Sequence, residues 1–456
     1  MIDTSQLMVS VSGVRGRVGH GLTPEVVATF AASFGGYLRS HGSNRTVIVG
    51  RDSRVSGPMF ARAVTAALES VGCEVVDVGV VPTPTVQLAV EDAGAAGGVA
   101  ITASHNPVEW NALKFIGPSG TFLDRKETEQ MQGFLEHAPP RAGWDELGGR
   151  REDTGALDRH LERVLAIGYL DLEEIRARGL TVALDCVRGA GGDIFSRLLE
   201  ELGCQVRGIN LEPDGRFPRE PEPVPENLAE LAALVKETGA DVGLAVDPDA
   251  DRLALVDESG EPLGEDYTLA LAAKLVLRHR QGPVVTNLST SRLLDDVAEE
   301  AGVPLVRVPV GEINVARRMQ EEDAVVGGEG NGGVILPDVH LGRDAPVAAR
   351  LILQLMAASG RPLSEIASGV GSYQIVKEKV ALPAVPLDDV YLALEAALAA
   401  PEADRQDGLR LDWPEERRWV HLRPSGTEPV VRVIAEAPTG GEARELVNRV
   451  RGLLPE

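Results

Sequence analysis

Thr181-Val182-Ala183-Leu184, then a helical stretch ending in Glu200-Glu201-Leu202-Gly203, then Cys204 to Ile209, reads as a strand, a helix closed by glycine and a second strand. The same arrangement occurs on either side of it. Thr46 to Val49 leads to Glu69-Ser70-Val71-Gly72 and the strand Cys73 to Val78, and Val284 to Asn287 leads to Glu299-Glu300-Ala301-Gly302 and Val303 to Val308. In each, glycine supplies the left-handed residue that ends the helix. One unit is therefore used three times. Its second half repeats as well: a helix, a short turn, an apolar strand and a distinctive loop. Gly98 to Ile101 opens into Thr102-Ala103-Ser104-His105-Asn106-Pro107, and Val242 to Val246 into Asp247-Pro248-Asp249-Ala250-Asp251-Arg252. Ala324 to Gly327 opens into Gly328-Glu329-Gly330-Asn331-Gly332-Gly333. Proteins of the α/β class place ligands beyond the carboxyl ends of strands, so the three loops are expected to face one shared cleft.

The expected fold class is α/β: three similar α/β domains with mixed sheets, and a smaller α+β C-terminal domain, around a central cleft. A chain of 456 residues is too long for a single core. Boundaries are expected at the Pro-, Gly- and charge-rich stretch Ala138 to Glu152, just before Ser259, and in the loose connection Ser359 to Ser372. They divide the chain into 1–150, 151–257, 258–372 and 373–456. Pro213 to Pro225, inside the second unit, reads as a long surface loop. A net charge of -24 argues against nonspecific binding to nucleic acid or to an anionic membrane, so an anionic substrate needs a local basic cluster. Cys73, Cys186 and Cys204 are few, odd in number and set among apolar residues, and they read as reduced core residues. From Met1 to Arg17, charge arrives before any apolar run long enough for a signal peptide. Nowhere are there about 18 consecutive apolar residues, and a cytoplasmic location is expected.

Asp247, Asp249 and Asp251 occupy every second position, which on an extended backbone puts three carboxylates on one side. Three like charges this close make sense around a cation, and an all-oxygen set favours Mg2+. A calcium loop is the nearest alternative because Glu258 falls twelfth from Asp247, but Arg252 stands sixth, where such loops need glycine. A solvated acidic turn is another. Ser104 sits in a tight turn and reads either as a capping serine or as a nucleophile activated by a metal or base. Gly328 to Gly333 matches the spacing GxGxxG, yet Val334-Ile335-Leu336-Pro337 provides no following helix, which argues against a dinucleotide site. Glu329 and Asn331 suit adjacent sugar hydroxyls, a plain glycine-rich bend being the alternative. In the last domain, Arg423, Ser425, Gly426 and Thr427 can wrap a phosphate dianion, or form an ordinary turn. Arg15 and Lys114 are further candidate cations, if they are not simply solvated.

Taken in order, Thr102 to Pro107, Asp247 to Arg252, Gly328 to Gly333 and Arg423 to Pro429 resemble the alpha-D-phosphohexomutase family. Ser12 to Gly16, Gly50-Arg51-Asp52-Ser53-Arg54, and Pro213-Asp214-Gly215 through Pro221-Glu222-Pro223 to Glu226-Asn227-Leu228 are similar to that family too. The resemblance spans nearly the whole chain. It implies that Ser104 is phosphorylated, that Mg2+ lies among that phosphate, Asp247, Asp249 and Asp251, and that sugar hydroxyls meet Glu329 and Asn331. It further implies that Arg423 to Thr427 grip the phosphate not being transferred, and that Arg15, Lys114, Arg252 and His105 stabilise charge or assist proton transfer. A hexose 1,6-bisphosphate would be both intermediate and activator, and phosphate would shift between O1 and O6. Many members carry Glu, any residue, Ser, Gly, His in the sugar loop, whereas here Asn331 replaces Ser and Gly333 replaces His. His340 follows closely as a candidate substitute. The form of the loop resembles members acting on glucosamine phosphate, which implies interconversion of glucosamine 6-phosphate and glucosamine 1-phosphate, with mannose or glucose phosphates as the alternative. A metal-dependent sugar phosphatase and a noncatalytic sugar-phosphate sensor are readings from other classes. The expected partner is a hexose phosphate, with no nucleic acid and no membrane, and the expected state is a monomer or homodimer.

Overall fold

A computed structural model describes residues 6–11, 13–425 and 430–454. The repeated unit folds three times into one sheet pattern. In the second unit the strands Gln205–Ile209, Thr181–Asp185 and Val242–Val246 run parallel, and Leu253–Val256 adds antiparallel to the last. The third unit sets Leu305–Val308, Val284–Asn287 and Val326–Glu329 parallel, then Gly333–Leu336 and His340–Arg343 antiparallel. In the first unit the same core is Glu74–Val80, Thr46–Arg51, Gly97–Ile101 and the antiparallel Trp110–Ile116, extended by Gly13–Val18 and Met8–Ser10. Its far edge is Arg150–Glu152, parallel to Glu74–Val80, which carries the first sheet across the expected 150/151 boundary.

The glycines foreseen as helix stops take positive φ in all three units: 77° at Gly72, 69° at Gly203 and 68° at Gly302. The strand expected from Val303 begins at Leu305, because Pro304 has no N–H for the ladder and offers only its carbonyl, to Val284. The fourth domain is an antiparallel sheet in the order Gln374–Ala381, Val430–Ala437, Arg418–Pro424, Leu409–Trp413, Glu402–Asp404, with the helices Leu387–Leu398 and Gly440–Leu453. It is α+β, as expected.

The second and third units share one apolar core. The helix Ala345–Ser359 is buried from Ala345 through Ala357, and it packs on helices of both units. A mostly apolar helix belongs in an interior, and this one, with Arg350 and Gln354 as its buried polar side chains, packs the two units together. All three chemistry-bearing loops occupy one topological position, the connection from the third parallel strand to its antiparallel neighbour.

Candidate active site

In the serine loop, Ser104 has φ 47°, a left-handed conformation that costs a non-glycine residue about 1–3 kcal/mol. Buried Arg54 holds it there. Its Nη2 donates to the carbonyls of Ser104 (2.6 Å) and Asn106 (2.7 Å), and its Nη1 to those of Pro107 (2.7 Å) and Trp110 (2.9 Å). Asp52 accepts from Arg54 Nε (3.0 Å) and from the Thr102 hydroxyl (2.7 Å), and the Thr102 oxygen accepts from Ser104 N–H (2.9 Å). Arg15 donates to the Asn106 side chain at 2.6 Å.

The aspartate loop departs from the expected extended backbone. It turns at Pro248-Asp249, and Ala250 takes φ 51°. Asp247 Oδ1 accepts from the N–H groups of Asp251 and Arg252 (3.2 Å each), so one carboxylate folds the loop that presents the other two. Ligand oxygens of Asp247, Asp249 and Asp251 still lie within 4.8 Å of one another, brought together by a turn rather than by strand alternation. Ser104 Oγ donates to Asp247 Oδ2 at 2.7 Å, joining the first two loops. Lys114 Nζ donates to Asp249 (2.7 Å) and stands 3.7 Å from Asp251, while Thr83 donates to Asp249 at 2.7 Å. Buried Oδ1 atoms of Asp249 and Asp251 have no hydrogen-bond partner among the described residues.

Burial and the like charges of Asp251 and Asp249 push the Asp247 carboxyl well above the usual range. Burial acts on Asp249 in the same sense, but Lys114 and Thr83 outweigh it and hold Asp249 well below that range. Burial works to lower Lys114, and Asp249 with Asp251 overcomes it and keeps the ammonium above its ordinary value. Two orphaned buried oxygens in a three-carboxylate cluster fit a hard divalent cation. The calcium-loop alternative fails because Glu258 is engaged elsewhere, accepting from the Ser364 N–H (3.2 Å) and hydroxyl.

In the sugar loop, Glu329 Oε1 accepts from Asn287 Nδ2 (2.8 Å) and Gly311 N–H (3.0 Å), and Oε2 accepts from Arg343 (2.8 Å). Asn331 Oδ1 accepts from Gly333 N–H at 3.2 Å. A strand follows Gly333 rather than a helix, which removes the dinucleotide reading. Gly332 takes φ 85°, and its carbonyl accepts from Leu253 N–H at 3.0 Å, so the third loop rests on the end of the second.

A cavity of about 490 Å³ is lined by His105, Glu222, Asn287, Glu329, Asn331, Lys377 and Arg423, among others. It joins the serine and sugar loops to the fourth domain. Arg423 Nε pairs with Asp407 at 3.1 Å, and Ser425 N–H donates to the Val430 carbonyl at 2.8 Å. Gly426 and Thr427, like Ser12, lie outside the described residues. His105 Nδ1 lies 3.4 Å from Ser104 Oγ. Burial, then the guanidinium groups of Arg252 and Arg15, push its imidazole well below the ordinary value, although 27% of the side chain still faces the cleft.

His340 is not in the sugar loop's reach as a substitute histidine. Its ring is buried, with Nε2 3.0 Å from Asp344 Oδ2 and the ring of His160 6.5 Å away. Two side chains that the sequence left without a role stand beside these loops. Glu222 reaches Arg252 (3.4 Å) and approaches His105 (3.9 Å), and it comes from the Pro-rich segment expected as a long surface loop. That segment is a loop without helix or strand up to Val224, and it is fastened to the second unit: Arg219 donates to Asp185 (2.6 Å) and to the Val246 carbonyl (3.1 Å). The other is Arg343, whose guanidinium meets Asp251, Glu329 and Glu312. Its only sequence signal was a charge at the end of the short strand His340–Arg343.

Residues 7–140, 158–260 and 264–373 match domains I, II and III, each alpha/beta/alpha, of phosphoglucomutase/phosphomannomutase, and residues 380–453 match its C-terminal domain. A probable phosphoglucosamine mutase of Methanopyrus kandleri is 40% identical over 439 residues, 95% of each chain. A phosphoglucomutase/phosphomannomutase of Thermococcus kodakarensis is also 40% identical, over 453 residues and 97% of each chain. The crystal structure of a phosphoglucomutase/phosphomannomutase family protein from Burkholderia thailandensis superposes with a TM-score of 0.85 at 28% identity, covering 98% of this chain and 97% of that one. The chain thus belongs to the phosphoglucomutase/phosphomannomutase family of alpha-D-phosphohexomutases. Within it, the protein is an isomerase of the intramolecular phosphotransferase class, phosphoglucosamine mutase-like in sequence. No helix among the described residues is long and apolar enough to cross a membrane.

Proposed function

We propose that this phosphohexomutase interconverts glucosamine 6-phosphate and glucosamine 1-phosphate through a phosphoserine at Ser104. The supporting observation is the 2.7 Å hydrogen bond from Ser104 Oγ to Asp247, which brings a nucleophile from one unit onto a cation-binding cluster of the next. In this reading residues 1–150 present the serine, 151–257 the metal ligands, 258–372 the sugar loop and 373–456 the phosphate grip. Mg2+ held by phosphorylated Ser104, Asp247, Asp249 and Asp251 would supply Lewis-acid polarisation of the phosphoryl group.

Phosphoserine 104 gives its phosphoryl to the free hydroxyl of the bound monophosphate: a sugar O–P bond forms, the Oγ–P bond breaks, and His105, 3.4 Å from Ser104 Oγ, takes the hydroxyl proton and returns it to the freed serine oxygen. The resulting hexose 1,6-bisphosphate turns over in the cleft and returns its other phosphate to Ser104. Glu329 and Asn331 hold sugar hydroxyls, and Arg423, Ser425, Gly426 and Thr427 hold the phosphate at rest. Arg15, Arg252 and Lys114 stabilise transferred charge; Lys114, bound to two carboxylates, serves as a fixed cation rather than a base. The enzyme acts in the cytoplasm as a monomer or homodimer, consistent with its free thiols.

The test is the rate of isomerisation of glucosamine, mannose and glucose phosphates with Mg2+ and a trace of bisphosphate. Glucosamine phosphate is expected to turn over fastest, and Ser104→Ala to lower kcat at least about a thousandfold. Faster turnover of mannose or glucose phosphate would favour a phosphomannomutase/phosphoglucomutase, a second reading supported by the name of the Thermococcus relative. Net release of inorganic phosphate would point to a phosphatase, and unchanged ligand binding without turnover in either protein to a sensor.

A further inference from the structure

Gly333, which closes the sugar loop, has no room for a side chain. A Cβ there would lie 2.2 Å from Arg343 Cδ and 2.9 Å from its Cγ. The stem of Arg343 fills that volume. It enters from the strand His340–Arg343, antiparallel to Gly333–Leu336. Its buried guanidinium meets three carboxylates from three separate elements: Nη2 donates to Asp251 Oδ2 (2.6 Å), Nη1 to Glu329 Oε2 (2.8 Å), and Nε pairs with Glu312 Oε2 (3.0 Å). The first two contacts take one oxygen from each carboxylate. Asp251 Oδ1 is left without a hydrogen-bond partner among the described residues, and Glu329 Oε1 is left to Asn287 and Gly311.

The backbone beside Arg343 is anchored by all three units. Asp344 Oδ1 accepts from Val347 N–H (3.0 Å) at the start of the helix Ala345–Ser359. Its Oδ2 lies 2.8 Å from His160 Nε2 and 3.0 Å from His340 Nε2, and His160 Nδ1 is 2.8 Å from the Thr85 hydroxyl. A planar fork can hold two carboxylates in fixed relation; an ammonium cannot do so with the same geometry.

We propose that Arg343 is a positioning residue of the phosphoryl transfer: standing in the space that Gly333 leaves open, it ties the sugar-facing Glu329 to the metal-facing Asp251. Gly333 and Arg343 thus depend on each other. This rests on the reading of Asp251 as a metal ligand and Glu329 as a sugar ligand.

The experiment pairs steady-state isomerisation of the fastest wild-type substrate with calorimetric titration of Mn2+ into Arg343→Lys, Gly333→Ala, Arg343→Ala and the double variant. Arg343→Lys and Gly333→Ala should each lower kcat about 10- to 100-fold and weaken Mn2+ binding comparably. KM should rise by less than kcat falls, because Glu329 is only one hold on the sugar and the phosphate grip is assigned to the fourth domain. In the Arg343→Ala background, Gly333→Ala should add less than about threefold, its clash having lost its partner. Unchanged kcat and Mn2+ affinity in folded Arg343→Lys would overturn the proposal, as would effects of Gly333→Ala and Arg343→Ala that multiply. A lowered melting temperature with kcat per folded molecule and Mn2+ affinity intact would also overturn it, leaving Arg343 a purely structural group. If Arg343→Ala does not fold, Arg343→Lys and Gly333→Ala, which keep the buried charge, decide. A wild type that isomerises no hexose phosphate would sink the functional reading, while the Mn2+ titrations would still decide this one.

Discussion

Arg54 has five N–H donors, and each is spent on a separate acceptor: the Asp52 carboxylate and the carbonyls of Ser104, Asn106, Pro107 and Trp110. That set of bonds holds Ser104 in its strained left-handed conformation, and it is wholly buried at the guanidinium. Lysine has three donors, so Arg54→Lys strands at least two of these buried or partly buried acceptors, at about 1–3 kcal/mol each where water cannot replace the donor. The expected outcome is a stability loss of about 2–5 kcal/mol, seen as a lower melting temperature, with reduced kcat because the serine is released. A variant that melts and turns over like the wild type would show that the clamp does not shape the nucleophile. The run Gly50 to Arg54 was visible in the sequence, but its charge gave no hint that it reaches a loop some fifty residues on. Local charge patterns do not encode which distant carbonyls need a donor.

At the level of elements, one connection type is used three times to carry a serine, three aspartates and a sugar loop. The strand-helix-strand rhythm was legible because it depends on neighbours in sequence: apolar alternation, and a glycine able to take positive φ. The conformation of the aspartate loop was not. Every-second-residue spacing suggests a strand, but here the side chain of Asp247 caps its own loop and Ala250 turns left-handed. Side-chain capping competes with extended backbone wherever aspartates cluster after a strand. Gly332 makes the next connection possible: with φ 85°, a Cβ on it would lie 2.4 Å from the Leu253 carbonyl. Gly332→Ala should therefore push the sugar loop away from the aspartate loop at a cost of about 1–3 kcal/mol. We expect kcat/KM to fall about tenfold or more in a protein that remains folded, measured beside its circular dichroism; an unchanged kcat/KM would mean that the contact between loops is dispensable.

Across the whole molecule, the fourth domain docks on the third through polar groups. Arg292 donates to Asp412 (2.7 Å), its N–H to Glu436 (2.9 Å), and Val310 N–H to Asp407 (3.1 Å), while His421 Nδ1 lies 2.9 Å from the Ser289 hydroxyl. Burial pushes His421 down to about 4, with nearby Arg410 and Arg423 acting in the same sense against the Asp407 carbonyl at its Nε2. Between pH 6.5 and about 4 the unfolded chain binds a proton that the native imidazole refuses, so stability falls as pH drops through that window, by at most about 3 kcal/mol. Above it the contribution is fully present. Melting temperatures across this range should decline more steeply for the wild type than for His421→Gln, and parallel curves would contradict the assignment. The sequence by itself determined the threefold unit and the identity of the three loops, because periodicity and glycine placement act through near neighbours. Tertiary structure alone decided that Ser104 meets Asp247, that Lys114 meets Asp249, and that Arg343 occupies the space left by Gly333. Those contacts exist only once whole units have packed, since a side chain's partner is set by which surfaces the buried helices bring together.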